Sequence, residues 1–274
     1  MAGRFWGALL AGLVSSAGAA EPAAPVDSWP AISIIIDDLG RDLPAGLRAV
    51  RLPGAVACAF LPRSLHARRL ALAAHSHNKE VLLHLPMQPV GLRPLDAGGL
   101  TLDMTERELV QALEQDLASV PHVSGVNNHM GSLLTRHPGH MLWLMQALNR
   151  HGDLFFVDSR TTSATVALQV AAENQVPGLE RDVFLDNRRD PEAISTRFDE
   201  LLAKARARGF AVGIGHPRPA TLEMLEQLLP TLEQERMRLV PIAEMLKLRQ
   251  RRVESWRASW SPSPKGVKSS RPSP

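Results

Sequence analysis

Residues 32–40 read ISIIIDDLG. Isoleucine fills four of the first five positions and leaves no polar alternation. A β-branched run of that kind is a strand buried on both faces, as inside a parallel sheet. It ends in adjacent carboxylates, Asp37 and Asp38, followed by Leu39 and Gly40. Carboxylates at the C-terminal end of such a strand stand where α/β barrels and open sheets place their chemistry. Neighbours on one strand point to opposite faces. Both acids therefore share a pocket only if the backbone is already turning, which a glycine at position 40 permits. A helix N-cap uses one Asp and leaves the second unexplained.

Outward from this stretch, strands are expected over 56–60, 80–85, 123–127, 154–157, 183–185 and 210–214, with a short one over 238–241. Helices are expected between them. Asp42 and Pro44 open one over 41–52, and Ser64 caps one over 64–75. The Thr105/Glu108 capping box opens another, after a loop rich in Pro and Gly over 86–99. Further helices cover 138–151, 163–174, 191–209, 220–234 (with a kink at Pro230) and 242–247. Seven or eight such alternations, without sequence repeats, predict an α/β fold whose parallel sheet is closed or nearly closed into a barrel.

The polar residues gather at strand ends. Asp37, Asp38, His84, Asn127, Asn128, His129, Asp158, Asp186 and His216 all lie at or just past a C-terminus. In a parallel barrel those ends share one rim. Each histidine singly is more readily a core residue bonded to backbone, but six segments meeting at one rim are hard to explain by packing. Asp and His suit a divalent ion such as zinc, which in catalytic sites keeps three protein ligands and an open position. Asp38, His84 and His129 form the expected ligand set. Asp37 is placed to take a proton from water and His216 to protonate a leaving amine. His75 and His77 fall at a helix end before a strand, on the opposite rim, and His137 and His140 flank a helix start in solvent. Neither a phosphate loop nor a nucleophile elbow is present.

The 274 residues, 45% hydrophobic and 22% charged, suffice for one large domain. Residues 1–20 read as a signal peptide: Arg4, an apolar run over 5–14 and small residues over 17–20. The alternative is a retained N-terminal anchor. Export to the periplasm is expected, with a short linker over 21–30 and the domain over 31–248. Cys58 is the single cysteine and is expected as a buried small hydrophobe. The net charge of +3 hides an uneven distribution, since residues 249–274 hold seven Lys or Arg against Glu254 and so carry more positive charge than the whole chain. This Pro- and Ser-rich basic tail is expected to be disordered, with Trp256 and Trp260 able to touch anionic lipid or envelope polymers. The body that remains without the tail and Arg4 is acidic, which argues against nucleic acid.

IIIDDLG, KEVLLHLPMQP, GVNNHMGS, FFVDSRT and VGIGHPRPATLEMLEQLLP occur in this order over about residues 31–248. They resemble the motifs of the divergent polysaccharide deacetylase family. The resemblance implies a distorted seven- or eight-stranded (β/α) barrel that uses a divalent metal, usually zinc, to remove N- or O-acetyl groups from glycans. It implies Asp37 as general base, Asp38 as metal ligand, His84 as the first histidine of a ligand pair, and His216 as acid. The second histidine of that pair falls on Gln88, a poor zinc ligand, so His129 is expected in its place. Asn127 and Asn128 stand where the wider group has an arginine motif, and Asp158 with Ser159 where it has a further acidic motif. Asn127, Asn128, Asp158, Asp186 and Gln88 are thus expected to bind substrate or support the site. The expected activity is metal-dependent hydrolysis of acetyl groups on peptidoglycan or an exported polysaccharide. The alternative is a degenerate protein of this fold that binds an envelope glycan or partner protein. An aromatic content of 4% with no Tyr weighs against a stacking glycan platform.

Overall fold

The isoleucine run forms β1 (Ala31–Leu39), and a computed structural model describing residues 28–260 places it inside a parallel sheet. The remaining strands are β2 (Ala57–Phe60), β3 (Val81–Met87), β4 (Val123–Met130), β5 (Phe155–Asp158), β6 (Gly178–Glu180), β7 (Val183–Phe184), β8 (Phe210–Gly215) and β9 (Arg238–Leu239). Helices α1 (Leu43–Val50), α2 (Ala67–Ser76), α3 (Glu106–Ser119), α4 (Pro138–Arg150), α5 (Ala167–Glu173), α6 (Pro191–Arg208), α7 (Pro219–Leu228) and α8 (Ile242–Trp260) alternate with them. The order across the sheet is β6-β5-β4-β3-β2-β1-β8-β7, with β9 added against the start of β1. All of these pairs are parallel. The sheet curls without closing, because β6 and β7 end the row instead of pairing with each other.

Alternation along β1 buries isoleucines on both faces, and the one polar side chain of the run, Ser33, donates to the Val240 carbonyl (2.6 Å). Ile32, Ile34 and Ile36 join the core beneath the surrounding helices. Ala31 and Ile35 join a second cluster on the other face, with Ala57, Leu82, Val157, Ile214, Ile242 and Met245. The first turn of α8 thus fills the concave face of the sheet. Glu80, at the start of β3, caps it from a distance by accepting from Ile242 N (2.6 Å) and Ala243 N (3.0 Å). Cys58 is buried, as expected, and burial pushes its thiol up to about 12.

Three local expectations change. β6 was not anticipated, because Gly178–Glu180 is three residues with no β-branched run. Ser64 does not cap α2; its hydroxyl donates to the Leu61 carbonyl and closes the preceding turn (2.8 Å). The last helix, expected to stop at 247 before a disordered tail, continues to Trp260. Leu246 and Leu248 pack on the concave-face cluster and Arg249 donates to the Gly178 carbonyl (2.8 Å), so tertiary contacts extend a segment that composition alone reads as disordered. The expected signal peptide, most of the linker and the tail from 261 lie outside the described residues. Among the described residues no helix is long and apolar enough to cross a membrane.

Candidate active site

The two acids of β1 both reach His84 because the strand breaks register before it ends. Pairing with β2 shifts between Ile36 and Leu39, and Asp38 itself takes a left-handed backbone, φ 58°. Asp is among the few side chains that enter this region routinely. The turn expected at Gly40 therefore begins two residues earlier. Gly40 follows at φ 118°, where an added Cβ would lie 2.0 Å from Ser64 Oγ.

Asp38, His84 from β3 and His129 from β4 converge. Asp38 Oδ1 lies 3.2 Å from His84 Nε2 and 3.0 Å from His129 Nδ1, and the two ring nitrogens are 3.1 Å apart. Asp38 Oδ1 is buried with no hydrogen bond aimed at it. Four ligands at zinc-like distances of about 2.0–2.1 Å stand about 3.3 Å from one another around a tetrahedron. The donor set and its spacing thus fit a divalent cation, and among the described residues this is the cluster of His, Cys, Asp or Glu that could hold one. Burial raises the Asp38 carboxyl, but His129 and His84 outweigh it and hold the group far below the carboxylate range. Burial likewise lowers His84, yet Asp37 and Asp38 together push it up to about 9.

Asn127, one residue past the middle of β4, organises the other side of the cluster. Its Nδ2 donates to Asp37 Oδ1 (2.8 Å), which turns its amide oxygen to His84 Nδ1 (2.9 Å). His84 Nδ1 is thus the donor to Asn127, and Nε2 faces the cluster. Asp37 is 2% exposed; burial raises its carboxyl, with His84 and His216 opposing. A carboxylate with a raised pKa is a better proton acceptor than a free one.

His216, just past β8, faces the pair from the far side, with Nε2 3.9 Å from Asp38 Oδ2. Its Nδ1 lies 2.8 Å from Asp186 Oδ1 and its backbone N–H donates to Asp186 Oδ2 (2.8 Å). Burial lowers the imidazole, but Asp186 more than offsets this and the pKa is raised. Asp37, His84, His129 and His216 line a cavity of about 460 Å³ that also meets Arg93, Asn128, Ser159 and Phe184.

Residues 34–246 match the family described as divergent polysaccharide deacetylase. The chain belongs to this family. It is 37% identical over 201 residues to the uncharacterized protein YibQ of Escherichia coli (strain K12), a match covering 73% of this chain and 63% of the relative, so it spans less than two thirds of that protein's length. Among solved structures, the uncharacterized protein ATU2773 from Agrobacterium tumefaciens superposes with a TM-score of 0.76 at 20% identity, over 79% of this chain and 89% of that one. The peptidoglycan deacetylase PdaC from Bacillus subtilis superposes with a TM-score of 0.50 at 12% identity, over 85% and 98%. At those identities the likeness is one of fold: deacetylases of this kind and the present chain share a curled (β/α) sheet.

Within this divergent deacetylase frame the expected residues divide. Asp37, Asp38, His84, Asn127, His129, Asp186 and His216 meet in one linked cluster. Asn128 lines the cavity, but its amide is spent on the rim: Oδ1 accepts from Ser159 N (2.8 Å) and Nδ2 donates to Met130 O (2.8 Å). Asp158 does not join them. Its oxygens accept from Arg160 N and Thr165 Oγ1, both at 2.8 Å, so it ties the turn after β5 to the approach of α5. Gln88 is likewise absent from the cluster; its Oε1 accepts from Leu102 N (2.8 Å) and anchors the loop after β3. His75 stacks on His122 with centroids 3.7 Å apart, at the opposite end of the strands, as its position implied. His140 is half-buried rather than solvated, with Nε2 3.1 Å from the Leu102 carbonyl.

Sequence reasoning missed Asp96, whose Oδ2 lies 3.1 Å from His129 Nε2, and Arg41, which pairs with Asp96. Asp96 sits in the Pro- and Gly-rich loop, far in sequence from both partners, and no strand end marks it. Arg181 was missed too: it lies 3.7 Å over the Phe184 ring and donates to Ser159 O (2.7 Å), bracing the cavity wall.

Proposed function

We propose that this protein is a metal-dependent deacetylase that hydrolyses N- or O-acetyl groups on an envelope polysaccharide, peptidoglycan or an exported glycan, with zinc as the expected ion. The observation that carries this reading is the three-atom cluster of Asp38, His84 and His129, flanked by a buried carboxylate on one side and an Asp-paired imidazole on the other. The signal-like character of residues 1–20 supports a periplasmic site for this reaction.

A cation held by these three side chains would supply Lewis acidity and a nucleophile at neutral pH. The chain's own groups handle the protons. Asp37, fixed by Asn127 through Oδ1, would take a proton from attacking water on Oδ2, which stands 3.6 Å from His84 Nε2. His216, as imidazolium, gives the proton on Nε2 to the leaving amine nitrogen (or alkoxide oxygen) while Asp186 stabilises its charge at Nδ1. The new C–O bond forms first, and the acetyl C–N bond (or ester C–O bond) then breaks, releasing acetate and a free amine (or hydroxyl). His129 provides a third donor atom where Gln88 does not, which supports the hydrolase reading over the degenerate, purely binding alternative.

The test is elemental analysis of purified protein together with acetate release from N-acetylated peptidoglycan fragments and chitooligosaccharides. One divalent ion per chain is expected, with acetate release that a chelator abolishes and added zinc restores. Folded protein that takes up no metal and frees no acetate from these glycans would overturn the reading.

A further inference from the structure

We infer that the end of the sheet opposite the catalytic rim docks on an anionic lipid surface, with a phosphate headgroup seated among Arg206, Arg238, Arg251 and Arg252. This surface lies apart from the metal cluster and does not depend on the reaction proposed there.

A cavity of about 450 Å³ opens at the starts of the strands. Trp29, leading into β1, and Phe210, opening β8, give it aromatic wall. Arg206 reaches it from the last turn of α6, Arg238 from β9, and Arg251 and Arg252 from α8. Among the described residues, four arginines and no carboxylate line it. Arg206 is balanced by Glu235 (2.6 Å) and Arg238 by Glu244, both set outside the lining. Arg251 and Arg252 are exposed and have no ion-pair or hydrogen-bond partner among the described residues. Arg252 nonetheless lies over Gly209, at φ 82°, where an added Cβ would collide with its guanidinium. Its charge is thus set against the cavity wall.

Concentrated positive charge on a body that is otherwise acidic attracts an anion. Guanidinium forks match the paired oxygens of a phosphate, and the volume is that of a small-molecule pocket. Two features favour a membrane over a soluble polyanion. Trp beside Arg is the chemistry of a bilayer interface, where the ring sits at headgroup level and the cation meets anionic lipid. The flanking sequence brings the same chemistry to this pole. The apolar run over 5–14 precedes Ser28, which itself lines the cavity, and residues 261–274, which follow α8, hold three Lys or Arg and no acid. Docked in this way, the catalytic rim, about 20 Å away along β1, faces away from the lipid.

Sedimentation of the full chain with phosphatidylcholine vesicles, with and without phosphatidylglycerol, tests this. Partition should favour the anionic vesicles, and the preference should shrink as salt rises. Arg251→Gln with Arg252→Gln should reduce the preference about 25-fold, at about five-fold for each arginine near the surface, with the thermal melt unchanged. An undiminished preference in this double variant overturns the inference. Binding of soluble polyphosphate without any preference for anionic vesicles also overturns it, and assigns the cavity to a soluble polyanion. Hydrogen exchange on the wild-type chain needs no substitution. Anionic vesicles should slow exchange over 206–210 and 248–254 and leave the loop over 86–99 as in solution. Slowing at that loop and not at the cavity overturns the docking orientation and the inference with it.

Discussion

Asp186 receives two hydrogen bonds from His216, one from the ring and one from the backbone N–H, each 2.8 Å long. Thr221 Oγ1 adds a third at 2.8 Å, so the carboxylate that charges the imidazole is itself held rigidly. This arrangement fixes His216 in one orientation and raises its pKa.

Removing Asp186 should therefore affect proton delivery and leave metal uptake alone. In Asp186→Ala, kcat for acetate release should fall at least about 100-fold. His216 donates only when protonated, so activity is lost as pH rises through its pKa. Without Asp186 that pKa drops, and the alkaline limb of the kcat profile should move to lower pH. An unmoved limb would show that another group is the donor.

The cluster and its neighbour strand ends should separate cleanly by mutation. Asp38→Ala or His84→Ala should lower zinc affinity by more than about 100-fold, beyond what loss of a supporting group costs. Asp158→Ala should leave affinity unchanged, because its oxygens are spent on Arg160 N and Thr165 Oγ1. It should instead lower stability by about 1–3 kcal/mol, since two donors lose their acceptor. Titration calorimetry and thermal melts read both effects.

Gly40→Ala tests the turn that aims the acids. The residue sits at φ 118° and a Cβ would press on Ser64 Oγ. Strain of this kind costs about 1–3 kcal/mol, and a fall in Tm of several degrees is expected in a domain of this size. Metal affinity should weaken with it, because Asp38 lies two residues away.

Stability should also carry the signature of Asp116. This residue of α3 is buried, with Arg63 Nε 2.7 Å away, and burial pushes it up to about 7 despite Arg63. A carboxyl whose folded pKa exceeds its unfolded value near 3.8 costs nothing below that value. Its cost grows as pH rises from there to about 7 and is complete above. The Tm difference between Asp116→Asn and wild type should therefore shift in favour of the variant across that interval. A difference independent of pH would contradict it.

Much of the site was legible because it lies at strand ends. The acids of ISIIIDDLG, His84, Asp186 and His216 each close an apolar run and His129 lies near the end of β4, and in a parallel sheet such positions share a rim. Asp158 shows the limit of that rule: it occupies a rim position, yet its oxygens turn to the local backbone and Thr165. Asp96 shows the converse, a loop carboxylate that no apolar run marks, standing 3.1 Å from His129 Nε2 on the outer side of the cluster. The extension of α8 was hidden for a related reason, since its basic composition says nothing of the leucines that dock it into the concave face.

The chain by itself determined the parallel α/β order, the buried first strand, the family and most of the rim residues, because burial and periodicity are written locally. Only the tertiary structure decided that the curled sheet stays open between β6 and β7, that His129 and not Gln88 meets Asp38 and His84, and that Asp96 stands behind His129. Those outcomes depend on where side chains distant in sequence point in three dimensions, on a register shift and one left-handed residue at Asp38, which no local pattern encodes.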